Sequence, residues 1–213
     1  MLRRSKYLFL VAISLLLTVG AVVWNGEREA IALERRSTYA FSEAELASLQ
    51  DGDVIMRRGY GYVSDMIGRF LNEERRLTHC GVVTVRKDGY WVVHSLSSNV
   101  SEIDGMQAHR LEDFVRQSYP GSIVVTRFRT EQDRDCISRR AVGYLRRQIA
   151  FDHDFDVVDT NTIYCSELIW LIVRDEFGVD VFQEAKDPER RYFGFSNFLD
   201  PRWWEVVLDH QQQ

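Results

Sequence analysis

The chain has 213 residues, 27 basic and 32 acidic, for a formal net charge of −5. No basic stripe or interleaved aromatic patch accompanies that mildly acidic balance, which argues against nucleic acid as a partner. Three cysteines, Cys80, Cys136 and Cys165, are too few for a disulfide scaffold; if one bridge forms, a Cys80–Cys136 pairing leaves Cys165 free.

Arg3, Arg4 and Lys6 precede an apolar stretch from Tyr7 to Trp24 broken only by Ser14, Thr18 and Gly20. A basic start followed by an apolar run close to the roughly 17–25 residues that cross a bilayer reads as a signal anchor or signal peptide over residues 1–25. Basic residues stay cytoplasmic, so the rest of the chain is expected to be extracytoplasmic, either membrane-anchored through residues 7–24 or secreted. Residues 26–40 are polar and charged and read as a linker, and residues 41–213 are the size of one domain.

Within that domain Ser42 is a candidate helix N-cap with Glu45 three residues on, so a short helix is expected around residues 42–49. The turn Asp51-Gly52-Asp53 feeds a strand from Val54 to Arg57. Gly59 to Leu71 reads as loop and helix, with Ser64 as its cap. Arg57, Arg58, Arg69, Arg75 and Arg76 make this region basic, and a solvated face is its ordinary explanation. Thr78 to Val85 and Tyr90 to Ser95 flank Arg86-Lys87-Asp88-Gly89 and read as a β-hairpin. A strand is expected near Val100 to Ile103, a short helix over residues 111–117 and a strand from Ser122 to Phe128. Thr130 then caps a helix in which Ile137, Ala141, Leu145 and Ile149 recur every four residues. Residues 151–156 connect to a helix that begins at Cys165 and ends at Gly178, and the tail through Trp203 and Trp204 is expected to be irregular and to cover the core. Strands gathered in the first half, with a packed helix behind them, imply an α+β fold.

Two features carry chemistry. A thiol on the first turn of a helix feels the positive end of the dipole and unpaired N–H groups, which favour thiolate. Cys165 is such a thiol; its plainer reading is a buried cysteine acting as a small hydrophobe. In the hairpin, a loop of residues 86–89 pairs Val85 with Tyr90 and Gly81 with His94. His79 and His94 then share a face on a diagonal of roughly 7–8 Å, and Gly81 offers no side chain to keep the imidazoles apart. A three-residue loop would instead put them on opposite faces. The dense Asp152, His153, Asp154 and Asp156 segment lacks the glycine and terminal glutamate of a calcium loop and reads as structural. Zinc held by His79, Cys80, His94 and Cys165 is disfavoured because adjacent strand residues point apart, so no metal and no cofactor is expected. His109, beside Arg110, has no partner that the sequence names.

The ordered set Gly52-Asp53-Val54, Thr78-His79-Cys80-Gly81-Val82, Val93-His94, Phe151-Asp152 and Tyr164-Cys165-Ser166-Glu167-Leu168 resembles the permuted papain-like amidases of the YiiX/YaeF type, relatives of the NlpC-type cell-wall cysteine hydrolases. The resemblance covers most of residues 50–178. It implies a circularly permuted papain-like fold, with an antiparallel sheet packed on the helix that carries the nucleophile. It further implies Cys165 as nucleophile, His79 as base, and His94 as the group that orients the base. The Cys165 N–H would be the oxyanion donor, with Tyr164 either supplying a hydroxyl or standing as a core or rim aromatic. Cys80 departs from the aliphatic residue usual in relatives, and strand alternation turns it away from His79 into the core.

The expected activity is a cysteine amidase or peptidase acting on a peptide or acyl substrate, with cell-envelope peptides the natural guess from relatives. A lipid acyltransferase or hydrolase of the retinol-acyltransferase kind, which also uses two strand histidines and a later cysteine, is the alternative enzyme. A binding module that kept the fold and lost activity is the third reading.

Overall fold

The computed structural model describes residues 2–72, 74–155, 161–182 and 194–212. Helix α1 (Leu2–Arg36) is followed by α2 (Glu43–Ser48), β1 (Val54–Arg57), α3 (Gly61–Leu71), β2 (His79–Arg86), β3 (Gly89–Leu96) and β4 (Gly105–Arg110). Next come α4 (Leu111–Arg116), β5 (Val124–Phe128), α5 (Asp135–Arg146), α6 (Cys165–Phe177), a 3-10 turn (Phe195–Leu199) and β6 (Trp204–Asp209). The strands form one sheet in the order β4-β3-β2-β1-β5-β6, antiparallel at every pairing.

Both faces of the sheet are covered, which is why its central strands are apolar on both sides rather than alternating with polar residues. Val54, Met56, Cys80, Val82 and Val93 pack with Leu168, Ile169, Ile172 and Val173 of α6, and with Ile137 and Ala141 of α5. Ile55, Val83 and Val92 face the other way, onto Leu111, Phe114 and Val115 of α4 and Leu49 beside α2. The fold is the expected α+β arrangement, an antiparallel sheet with the Cys165 helix against one face.

Local chemistry explains where elements begin and end. Ser42 and Glu45 form the expected capping box: Ser42 N donates to Glu45 Oε2 at 2.6 Å and Glu45 N to Ser42 Oγ at 3.3 Å. Gly52, at φ +85°, permits the turn into β1, and a Cβ there would lie 2.8 Å from the Arg134 carbonyl oxygen. Asp53, 1 % exposed, receives both Nε and Nη2 of Arg127 at 2.8 Å, which ties β1 to β5.

Five expectations change. Ser64 lies inside α3, whose N-terminus is served instead by Glu27 of α1 accepting from Tyr62 N at 3.0 Å. The segment read as a polar linker is helical through Arg36, as the continuation of α1. No strand forms at residues 100–103, because Ser97 O accepts from Val100 and Ser101 N–H and Asp104 Oδ1 accepts from Ser98 N, closing a turn; the strand is β4, from Gly105. Thr130 makes a local turn with Gln132 N, and the helix starts only at Asp135. The tail is not irregular throughout: β6 pairs with β5 and buries Trp204 to 1 % exposure. Among the described residues no helix is long and apolar enough to cross a membrane.

Candidate active site

The hairpin register is the one that brings the histidines together. Val85 pairs with Tyr90 and Val82 with Val93, which sets Gly81 opposite His94, and a Cβ on Gly81 would lie 3.0 Å from His94 Cβ. With that space open, His79 Nε2 lies 2.9 Å from His94 Nδ1, both residues being buried. The rings meet edge to face at 5.0 Å, over Phe114 of α4.

Cys165 is the first residue of α6, and its helix starts where three anchors converge. Ser95 Oγ of β3 donates to Ile163 O at 2.6 Å, Ile163 N donates to Ala150 O at 3.0 Å, and Glu167 accepts from Tyr164 N at 3.2 Å. This delivers a half-buried thiol to the beginning of β2, packed against the cluster that contains Cys80, where Cys80 and His79 act on its ionisation. Because His79 Nε2 is engaged with His94, Nδ1 is the ring nitrogen left for the thiol.

Charges at the site follow from this packing. The Cys80 thiol, donating to it, does most to hold Cys165 well below the ordinary thiol range, with His79 and the Cys80 N–H adding to it against the opposing effect of burial. The helix N-terminus acts in the same direction. Burial lowers His79 below the usual imidazole value, while Cys165 partly restores it. His94 is pushed further down, by burial first and then by the charges of His79, His109 and Arg57. Burial raises Cys80, as does the neighbouring Cys165 thiolate, so Cys80 stays a thiol.

Arg57, read from the sequence as one of a solvated basic group, is a buried part of the site. It stands directly across the ladder from His79, its guanidinium lies 4.4 Å from the Phe114 ring centroid, and Nη1 donates to Phe114 O at 3.2 Å. Burial lowers it to about 10, so it remains a cation at neutral pH beside Cys165 and the histidines. His109 was also missed: its ring packs edge-on to His94 at 4.8 Å, placed there by the pairing of Val92 with His109 between β3 and β4. Reading β1 as the partner of β2 would have revealed Arg57 opposite His79.

Tyr164 is 2 % exposed and packs against Phe155 at 5.5 Å, the position of a core aromatic. Asp152 Oδ1 accepts from Asp154 N and Phe155 N, both at 2.9 Å, and His153 pairs with Asp104 at 3.0 Å; these are structural roles, and Asp156 lies outside the described residues. The described residues contain no group of three or more His, Cys, Asp or Glu placed to hold a metal ion, and His79 and His94 spend facing nitrogens on each other. An open cleft lined by Phe128, Arg129, Thr130, Glu131, Arg134 and Glu205 contains none of the residues of this site.

Comparison with known proteins agrees with this geometry. The family described as permuted papain-like amidase enzyme, YaeF/YiiX, C92 family, matches residues 48–193. The crystal structure of the metalloprotein YiiX from Escherichia coli O157:H7 superposes with a TM-score of 0.58 at 17 % identity, over 76 % of this chain and 98 % of that one. No curated protein matches the sequence.

Proposed function

Because the chain belongs to the permuted papain-like amidase family, and is a cysteine hydrolase on that ground, we propose that Cys165 is its nucleophile, His79 its base and His94 the group that orients the base. The observation that carries this is the buried His79–His94 pair, Nε2 of one 2.9 Å from Nδ1 of the other, beside the Cys165 thiol whose ionisation His79 favours. The thiolate attacks an amide carbonyl carbon, and the developing oxyanion meets the N–H of Cys165, which has no partner inside its helix. His79, holding the thiol's proton at Nδ1, transfers it to the leaving amine. Water then attacks the thioester and regenerates the thiol. His94 fixes the ring and tautomer of His79: with Nε2–H donated to His94 Nδ1, the Nδ1 lone pair faces the thiol.

The proposed substrates are peptides of the cell envelope, reached by an exported domain tethered through the apolar run of residues 7–24, whose basic flank of Arg3, Arg4 and Lys6 supports that orientation. A second reading, a lipid ester or amide as acyl donor, is favoured by one observation. Tyr62, Met66 and Phe70 follow one another at four-residue spacing on α3 and are each at least half exposed, on the connection between Arg57 and His79.

The test is iodoacetamide labelling of Cys165 against pH in the full chain, beside His79→Ala. Fast labelling at pH 6–7 that collapses in the variant is the expected result; a midpoint near the free-thiol value of about 8.5 in both proteins would sink the Cys–His pair. Product analysis on peptide amides and on acyl lipids separates the two substrate readings.

A further inference from the structure

His94 carries one atom that acyl transfer leaves unexplained. Its Nδ1 faces His79 Nε2 at 2.9 Å, while its own Nε2 is buried with no hydrogen-bond partner among the described residues. The same is true of His109 Nδ1. These two orphaned nitrogens belong to rings in edge-to-face contact, 4.8 Å between centroids at 68°. The hydrogen-bonded rings of His79 and His94 stand at 5.0 Å and 71°, so the second pair already has the spacing and tilt of the first. A buried polar atom is seldom left unpaired, and a rotation of one ring would satisfy both.

Strand register places the three rings in line. Val82 lies opposite Val93, which sets Gly81 across from His94; His94 in turn lies opposite Gln107, and Val92 opposite His109. His79, His94 and His109 therefore fall on one straight diagonal across β2, β3 and β4, on the face that α4 covers. Gln107, directly across from His94, is spent elsewhere: its Nε2 donates to Ile103 O at 3.1 Å and Gly105 O at 3.2 Å, and its Oε1 accepts from Ser101 Oγ at 2.8 Å. Arg57 has only donors to offer, and its Nη1 is on Phe114 O.

We infer that His109 is a positioning residue of the site: its Nδ1 accepts from His94 Nε2–H and so fixes the direction in which all three imidazoles donate. A neutral imidazole carries its proton on one nitrogen and accepts at the other. Burial lowers all three histidines below the usual imidazole value, which favours the neutral rings. With His109 accepting, the His94 proton stays on Nε2 and His94 Nδ1 is open. His79 must then donate from Nε2, which leaves its Nδ1 lone pair for the Cys165 thiol. Without that acceptor His94 can hold its proton on Nδ1, which turns the His79 tautomer round and puts a proton where the base needs a lone pair. His109 touches no reacting atom and acts only through His94 and His79, so its effect on acyl transfer rests on the assignment of His79 as base.

Nitrogen-15 NMR of the histidine rings in the full chain at pH 8 reads which nitrogen carries each proton. The expected result is Nε2–H on His79, His94 and His109, with the His94 pattern lost in His109→Phe. Alkylation of Cys165 at pH 6.5 reads the consequence. His109→Phe should slow it about fivefold, the worth of one hydrogen bond. His109→Asn, whose amide oxygen can stand in for Nδ1, should recover it to within about twofold of wild type; a packing role would favour the aromatic variant instead. Wild-type His94 or His109 protonated on Nδ1 overturns the inference, as does equal slowing in both variants or none in His109→Phe. The wild-type spectrum decides the matter should the variants fail to fold. It also separates the two readings: Nε2–H on all three rings beside a Cys165 that labels as a free thiol would sink the Cys–His pair and leave the histidine row standing.

Discussion

His94 Nδ1 lies 2.9 Å from His79 Nε2, and the two rings reach each other because Gly81 stands between them without a side chain. A Cβ on Gly81 would lie 2.6 Å from Val92 Cγ1, 2.9 Å from Val93 O and 3.0 Å from His94 Cβ. Two of these three are backbone or Cβ atoms, which cannot swing aside. Gly81 is needed here for close approach of neighbouring strands.

Gly81→Ala is therefore expected to separate the histidines by pushing β3 away, at a stability cost of about 1–3 kcal/mol, as for other overpacked cores. Chemical denaturation reads the stability, and the pH profile of Cys165 alkylation reads the site. A profile unchanged from wild type would mean that the histidine pair does not set the thiol's reactivity.

Arg57 carries its charge into the same enclosure, opposite His79 and over Phe114. A nearby cation favours thiolate and disfavours imidazolium. Arg57→Met is expected to move the alkylation midpoint of Cys165 upward by about one pH unit, and Arg57→Lys, keeping the charge, by less. Equal shifts in both variants would assign Arg57 a packing role through Phe114 instead.

The parts of the site legible in the sequence were those written in local patterns. The hairpin showed itself through two β-rich runs around Lys87-Asp88-Gly89, and α6 through an apolar run too long for a strand ending at Gly178, which takes φ +69°. The missed parts depend on which segments meet. Arg57 looks solvated until β1 is known to pair with β2 at His79. Alternation correctly turns Cys80 to the α6 side and His79 to the α4 side, but it does not reveal that both act on the ionisation of Cys165. The start of α3 is settled by Glu27, 35 residues from Tyr62, beyond any local capping rule.

Asp53 and Arg127 form a bidentate carboxylate–guanidinium pair that joins β1 to β5, and Asp53 also accepts from Gln50 N at 2.8 Å. Asp53→Ala leaves a largely buried cation without its partner, and removing one member of such a pair costs about 3–5 kcal/mol. Thermal or urea unfolding should show that loss. At temperatures where the variant is still folded, the Cys165 labelling profile should match wild type, because the pair is structural. A variant of wild-type stability would show that β1 is held by its apolar contacts alone.

Acid should destabilise the domain through the same histidines. His79 and His94 are buried and their folded values lie below the ordinary imidazole value, chiefly from burial. A depressed basic group is neutral in the fold while the unfolded chain takes up a proton near pH 6.5. Between that pH and the lower folded values the unfolded state binds more protons, so stability rises with pH and is lost as pH falls below about 6.5. The slope approaches about 1.4 kcal/mol per pH unit for each fully depressed histidine. His109, lowered in the same direction but less enclosed, adds a smaller part. Cys165 acts in the same direction: its lowered thiol favours the fold above the unfolded thiol value, and that contribution falls away as pH drops toward the folded one. Urea titrations at pH 7.0, 6.0 and 5.0 read the combined slope, and His94→Gln should remove about one histidine's share of it. A stability that is flat over this range in wild type would mean that His79 and His94 titrate normally, and the buried pair would not be the one described.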